Sequence, residues 1–247
     1  MSDSDHIDHI LEDWPFEPEA VSVRMVQGAD GRDLIQMRVD MGVLQLEVEG
    51  RPDGQQPDGL ATYRELLELR AQDEGESFQL DEAQCLEIDR EFVQFYHRRI
   101  CWLALRQFAQ AVKDADHTLA LMDFCLAHSP DEDWTLAHEQ YRPFVMFHRI
   151  QAAALRDLER FNAEEAVQQI NLGLDQLREL HQRYESEDVF EENELVEKLV
   201  ELRESLRERF HVGRTLEEQL EDAVASEQYE LAAQIRDKLA SRRPQAF

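Results

Sequence analysis

The sequence predicts an α+β protein that is mainly α, in which a small three-stranded antiparallel sheet packs on a helical bundle and a helical hairpin ends the chain. Residues 21–50 alternate apolar and polar side chains with a period of two, which is typical of half-buried strands. Seven of the nine glycines precede residue 76, and beyond that point apolar residues recur at helical spacing. A short loop, "HVGR" at 211–214, then separates two last amphipathic segments from the helices before them.

The stretches "VSVRMVQ", "DLIQMRVD" and "GVLQLEVEG" predict three strands of a meander, joined at "GADG" and "DMG". One face is expected to be buried and to carry Val21, Val23, Met25, Ile35, Met37, Val39, Leu44, Leu46 and Val48. Arg24, Arg38 and Glu47 are expected in solvent on the other face. An open sheet this small needs a cover, which the following helices would supply. Residues 1–20, with seven acidic and no basic side chains, predict a mobile tail held at Trp14 and Phe16.

Helical periodicity and capping residues predict eight helices after the loop at 50–59. The predicted helices are 60–72, 81–105, 109–127, 130–157, 162–184, 190–210, 215–226 and 229–241. The predicted caps are Asp81 with Gln84, Ser129 with Pro130 and Glu132, Asn162 with Glu165, and Thr215 with Glu218. Pro143 is expected to kink or split the fourth helix.

Two helical segments resemble the second helix of a tetratricopeptide-type pair: "FAQAVKDADHTLAL" at 108–121 and "NAEEAVQQINLGLDQL" at 162–177. Their matching residues, Ala111 and Ala166, are 55 positions apart instead of the usual 34. The similarity therefore predicts antiparallel helix packing and no peptide-binding array. A seam of Leu195, Leu199, Leu202 and Leu206 has coiled-coil-like spacing, and either packs on the bundle or forms a dimer contact.

Charge and cysteine content limit the classes of function. The formal net charge of −28 repels phosphate backbones and disfavours direct nucleic acid binding. Three widely spaced cysteines give neither a disulfide framework nor a zinc motif, which fits a reducing compartment. The acidic N-terminus does not resemble a signal peptide, and no apolar run approaches 18 residues. We expect a cytoplasmic protein without membrane contact.

No catalytic motif for phosphate, dinucleotide or ester chemistry is present in the sequence, and the expectation is a non-enzyme without cofactor. Three metal patterns are weak. They are Asp114 with His117, Cys125 with His128, and the group Asp5, His6, Asp8 and His9. Surface positions or ordinary buried side chains explain them better, and no metal site is predicted.

Two segments are rich in aromatic residues and arginine, "EFVQFYHRRICW" at 91–102 and "QYRPFVMFHR" at 140–149. If they face each other, they form an aromatic core surrounded by ion pairs, which is the favoured interpretation. The alternative is a groove for an acidic small ligand, in an enzyme or a binding protein. Its residues would be Tyr96, Arg98, Arg99, Trp102, Tyr141, Arg142 and Arg149.

The last two segments form a predicted helical hairpin at 214–243. Leu216, Leu220, Ala223 and Val224 make one apolar stripe, and Leu231, Ala232, Ile235 and Leu239 make the other. About 30 residues bury too little surface to be stable alone. The hairpin must therefore dock on its own domain, on a second copy or on a partner. A tether such as 211–214 favours the last two.

Residues 216–239 resemble the UVR motif, the hairpin shared by the excision-repair proteins UvrB and UvrC. The match is carried by Leu220, Ala223, Tyr229, Glu230, Ala232, Ala233, Ile235, Arg236 and Asp237. The phrase Tyr-Glu-x-Ala-Ala-x-x-Arg-Asp is its specific part, with Tyr229 where Phe is usual. The resemblance implies a protein contact through these residues and Leu216, made with another UVR-type hairpin or with a second copy as a homodimer. The helicase and nuclease motifs of UvrB and UvrC are absent from the sequence.

The motif also occurs in McsA-type adaptors and ClpC-type chaperones of bacterial stress systems, although this chain lacks the zinc-binding cysteine pairs of the former. The sequence therefore predicts a non-catalytic adaptor or scaffold, linked to nucleotide excision repair or to bacterial stress proteostasis. Its predicted parts are an acidic tail at 1–20, a meander at 21–50, a helical bundle at 58–210 and the hairpin. A charge in the seam, as in Ala233→Glu, is expected to abolish association.

Overall fold

The computed structural model describes residues 6–184 and 190–242. It confirms a mainly helical α+β protein with one antiparallel sheet and a C-terminal helix pair. The chain divides into two compact units, residues 1–152 and 153–247. The helices are α1 (Asp8–Asp13), α2 (Tyr63–Glu74), α3 (Glu82–Ala104), α4 (Phe108–His128), α5 (Glu132–Glu139), α6 (Arg142–Glu159), α7 (Ala163–Arg183), α8 (Glu194–Phe210), α9 (Leu216–Ala225) and α10 (Tyr229–Arg242).

The predicted meander is confirmed as β1 (Val23–Gln27), β2 (Asp33–Val39) and β3 (Gly42–Glu47), paired antiparallel in that order. Met25 lies opposite Ile35, and Ile35 lies opposite Leu46. Ile35 and Leu46 are buried, as the alternation predicts, but Met25 on the edge strand is exposed. Periodicity alone therefore overestimates the burial of β1.

Arg38 was expected in solvent, and this prediction is wrong. Its side chain is buried and donates hydrogen bonds to the carbonyl oxygens of Trp14 (2.8 Å), Asp40 (3.2 Å), Gly42 (3.0 Å) and Val39. A guanidinium carries five donors, so backbone carbonyls can satisfy it without a carboxylate. The segment after α1 covers this face of the sheet, and the guanidinium of Arg24 lies 4.3 Å from the ring centroid of Trp14. Trp14 thus contacts the sheet as expected, while α1 forms within the predicted tail.

Most predicted caps are confirmed at their exact residues because capping depends on local spacing. Asp81 and Gln84 form a reciprocal capping box, as do Thr215 and Glu218. Asn162 accepts a hydrogen bond from the Glu165 N–H at 3.1 Å.

The helix predicted at 130–157 is two helices, α5 and α6, separated at 140–141 just before Pro143. Pro143 has no N–H to donate to the carbonyl of Glu139, four residues earlier, and its ring clashes with that carbonyl in a continuous helix. The first helix therefore ends at Glu139, and Pro143 lies in the first turn of α6. The cap of α5 is Asp131, which accepts from the Trp134 N–H at 2.8 Å, and not Ser129. The helix predicted from 190 begins at Glu194, with Asn193 as its cap.

The first unit is built around α3 and α4, which pack along each other beside the sheet and α2. Buried side chains between these elements include Leu67, Ile88, Leu121 and Cys125. All three cysteines are buried free thiols, and burial raises the pKa of Cys101 to about 12. Thiols of this kind belong to the core.

In the second unit, α7 and α8 pack against each other. Ile170 and Leu177 of α7 and Leu199 and Leu206 of α8 are buried. The leucine seam of α8 therefore meets a helix of its own chain, which is the packing alternative of the two that the sequence left open. The two tetratricopeptide-like segments fall in α4 and α7, one in each unit.

Candidate functional site

The C-terminal hairpin consists of α9 and α10, joined by a tight turn at 226–228. The Glu227 backbone is left-handed (φ 56°), the Gln228 N–H donates to the Ala223 carbonyl (2.7 Å), and the Glu227 N–H donates to the Val224 carbonyl (3.0 Å). This pair of bonds is a Schellman motif, in which glycine is the usual left-handed residue. The turn fixes where α10 begins relative to α9.

The two helices close a small core of their own. Leu216, Ala223, Ala232 and Ile235 are buried in one cluster, with Leu220 and Leu239 packed against it. The alanines allow a close approach of the helices, as their size predicts. These side chains, expected as a seam for a partner, fill the interior of the hairpin itself.

The remaining predicted hairpin residues are placed differently. Ala233 is half-buried, whereas Tyr229, Glu230, Arg236 and Asp237 are exposed. Leu231 and Val224 were assigned to the inner stripes, and this assignment is wrong, because their side chains are 44% and 52% exposed. Short helices bring only one narrow stripe each into contact, so apolar residues at its edge remain in solvent.

The start of the hairpin is fixed to the body of the second unit. Thr215 is fully buried, and its hydroxyl donates to the Gln168 side-chain oxygen in α7 at 2.7 Å. Glu218 accepts from the Thr215 N–H at 2.7 Å and forms an ion pair with Arg207 of α8. Burial acts to raise the pKa of Glu218, but these two partners hold it below its ordinary value. Residues 211–214 are thus a tight connection and not the free tether that the sequence suggested.

A family comparison covers this hairpin and little else of the chain. Residues 214–241 match the model of the UvrB/uvrC motif, UVR. The C-terminal hairpin is a UVR motif. The resemblance found in the sequence is confirmed, and it links this segment to an interaction motif of excision-repair proteins. Comparisons of the chain with curated proteins and with solved structures gave no match.

The aromatic and arginine-rich segments meet in the first unit, as the core interpretation predicts. The Arg99 Nε lies 3.4 Å from His148 Nδ1, and the rings of Tyr96 and Phe144 are 6.4 Å apart between centroids. Arg99 and Trp102 are buried, while Tyr96 and Tyr141 are exposed.

The arginines of the predicted ligand groove are held by side chains and backbone of the protein. Arg98 donates two hydrogen bonds to Asp114, at 2.9 and 2.8 Å. Arg142 pairs with Glu139 and Asp123, and Arg149 with Asp116. Arg98 and Trp102 do line a cavity of about 620 Å³ beside α2 and α4, but residues 140–149 do not line it. This cavity brings together Arg98 and Trp102 of the seven predicted groove residues.

Glu91 is a buried acidic residue whose role the sequence did not reveal. It accepts hydrogen bonds from the first N–H groups of α2, at Tyr63 (2.8 Å) and Arg64 (3.1 Å), and from His117 Nε2 (2.9 Å). Burial tends to raise the pKa of Glu91, but these hydrogen bonds hold it below its ordinary value. An acidic residue on the apolar face of α3, one turn before Phe95, was the available signal. His117 and Asp114 are therefore engaged in packing α2, α3 and α4.

Within residues 6–184 and 190–242, no group of three or more His, Cys, Asp or Glu side chains could hold a metal ion. Asp5 of the N-terminal metal pattern lies outside these residues. No helix in the same ranges is long and apolar enough to cross a membrane.

We expect the folded protein to lose stability as the pH falls, because His148 resists protonation in the folded state. Burial, and secondarily the charge of Arg99, lowers the pKa of His148 to about 4, from 6.5 in an unfolded chain. Between these values the unfolded chain binds a proton that the folded one excludes. The contribution of His148 to the free energy of unfolding is therefore fully present above pH 6.5. It is lost as the pH falls toward 4, which lowers the free energy of unfolding by about 2–3 kcal/mol.

The measurement is urea denaturation of the wild type and of His148→Gln at pH 7, 6 and 5. Glutamine keeps an acceptor for Arg99 and does not titrate, so the difference between the two proteins should shrink as the pH falls. Parallel curves for the two proteins would contradict this account.

Proposed function

We propose that this protein acts by binding another protein through its UVR hairpin, as a non-catalytic adaptor or scaffold. The observation that carries this proposal is the division of apolar side chains within the motif. One set closes the core of the hairpin, and a second set, Val224, Tyr229 and Leu231, stays exposed near the turn. Exposed apolar groups grouped on a small module are typical of a contact surface.

The anchoring of the hairpin supports the same proposal. Thr215 and Glu218 fix the first turn of α9 to α7 and α8, so the exposed end is presented in one orientation. A surface that is ordered in advance loses less conformational entropy when a partner binds.

The charge of the motif favours a protein over a nucleic acid. Residues 214–241 contain seven acidic and three basic side chains. Such a segment repels phosphates. The identity of the protein partner decides whether the process is nucleotide excision repair or bacterial stress proteostasis.

The absence of catalysis is part of the proposal, and the arrangement of reactive side chains supports it. Buried charged groups that resemble catalytic residues by type include Glu91, Arg98 and Asp114, with the partly buried His117 beside them. Each is engaged in holding α2, α3, α4 and the end of β3 together.

The alternative is a small ligand in the cavity lined by Arg98 and Trp102. An acidic ligand there would compete with Asp114, which already accepts two hydrogen bonds from Arg98. We prefer association for this reason.

Co-purification from the native cell tests the proposal, with two matched variants of the full chain. Tyr229→Ser should remove the partner, whereas Tyr141→Ser should retain it, since the two tyrosines are 68% and 59% exposed but only the first lies in the motif. The same tyrosines separate the alternatives, because Tyr141 belongs to the predicted ligand groove. Equal partner lists for both variants and the wild type would reject association through the hairpin.

A further inference from the structure

The exposed end of the UVR hairpin carries a concave surface, which we call the tip groove. It is shallow and open to solvent, has a volume of about 500 Å³, and is lined by Glu227, Gln228, Tyr229, Glu230, Leu231 and Gln234. Its apolar part is the exposed side chains of Tyr229 and Leu231. Its remaining side chains are two carboxylates and two amides, with no cation among them.

Both carboxylates of the tip groove are available to a partner. Glu227 and Glu230 are exposed, and neither forms an ion pair with any residue of the described parts of the chain. Two other acids of the hairpin are paired, Glu218 with Arg207 and Asp222 with Arg214 at 2.6 Å. The groove thus presents two unpaired carboxylates beside its apolar part.

The positive end of the α10 dipole does not reverse the sign of this charge. A helix N-terminus is equivalent to about half a positive charge. Two full carboxylate charges outweigh it, so the groove favours a cation.

We infer that the tip groove binds a basic segment of a partner protein, with an apolar side chain seated on Tyr229 and Leu231 and Lys or Arg side chains beside Glu227 and Glu230. This inference rests on the proposed function and names the chemistry of the partner. A second copy of this chain fits poorly, because its own tip groove would bring the same carboxylates face to face.

Selection of displayed random peptides on the full-length protein tests the inference. The wild type should enrich peptides that combine Lys or Arg with Leu or Phe. The double variant Glu227→Lys and Glu230→Lys should enrich Asp and Glu instead. Both residues are exposed and unpaired, so the variants should stay folded, with a small decrease in Tm because Glu230 lies in the first turn of α10. The variant Glu227→Gln with Glu230→Gln supplies the neutral control.

One selected peptide is then measured by fluorescence anisotropy. Charge reversal should weaken its binding by about tenfold or more, with a smaller loss for the neutral control and a weaker contrast at high salt. An unchanged charge preference, or binding that Leu231→Ser leaves intact, would overturn the inference. So would a wild-type dimer in sedimentation that Leu231→Ser converts to monomer, because the occupant is then a second copy.

The outcomes separate this inference from the proposed function. If Tyr229→Ser removes the native partner but charge reversal does not alter peptide preference, the hairpin mediates association and the basic character of its partner is wrong. If Tyr229→Ser changes nothing in the cell, the proposed function fails irrespective of the peptides.

Discussion

Replacing Ile235 with Asp should unfold the UVR hairpin and abolish partner binding, whereas Leu231→Asp should abolish binding and leave the hairpin folded. Ile235 is 3% exposed within the hairpin core, and an unpaired carboxylate there costs several kcal/mol, of the order of 3 or more. A module this small has little stability to lose. Leu231 lies one turn earlier on α10 in solvent, so the same substitution adds charge without disturbing the core.

Hydrogen exchange read by mass spectrometry distinguishes the two variants. Residues 216–242 should lose amide protection in Ile235→Asp and keep it in Leu231→Asp, while the rest of the chain is unchanged in both. If Leu231→Asp binds the partner normally, the exposed side of the hairpin is not the contact. If Ile235→Asp keeps its protection, the inner cluster does not hold the hairpin together.

Thr215→Val should detach the hairpin from the second unit. Valine has nearly the same shape but removes the hydroxyl that donates to Gln168 and accepts from the Glu218 N–H. The buried Gln168 oxygen then loses this donor and α9 loses its cap, a combined effect of about 2–3 kcal/mol. Thr215→Ser keeps the hydroxyl and serves as the matched control.

The expected readout for Thr215→Val is faster exchange throughout 216–242 and weaker partner binding, because the hairpin is no longer held in one orientation. Urea denaturation gives the change in stability directly. Normal exchange in Thr215→Val, or equal losses in the serine control, would show that this hydroxyl does not anchor the hairpin.

Features with a local cause were predictable from the sequence. The meander follows from the alternation of apolar and polar residues with a period of two. The caps at Asp81, Asn162 and Thr215 were predictable because the residue that each cap bonds lies three positions later in the sequence. The UVR hairpin was recognisable for the same reason, because its pattern lies within one continuous segment.

Features that depend on distant partners were not predictable. Arg38 is buried because carbonyls as remote as Trp14 accept its hydrogen bonds. Glu91 is buried because the first N–H groups of α2 donate to its carboxylate. The contact of Thr215 with Gln168 spans 47 residues, so no local pattern reports it. Leu231 and Ala232 are neighbours of similar hydrophobic character, and only the packing of α9 on α10 decides which of them faces inward.

The most direct measurement places a photo-cross-linking amino acid at position 229 of the full-length chain in the native cell, with position 141 as the control. Both positions hold exposed tyrosines, so both probes reach solvent. We predict a cross-link from position 229 to a peptide of another protein, and no such product from position 141. Cross-links confined to this chain, or the same products from both positions, would contradict association through the UVR hairpin.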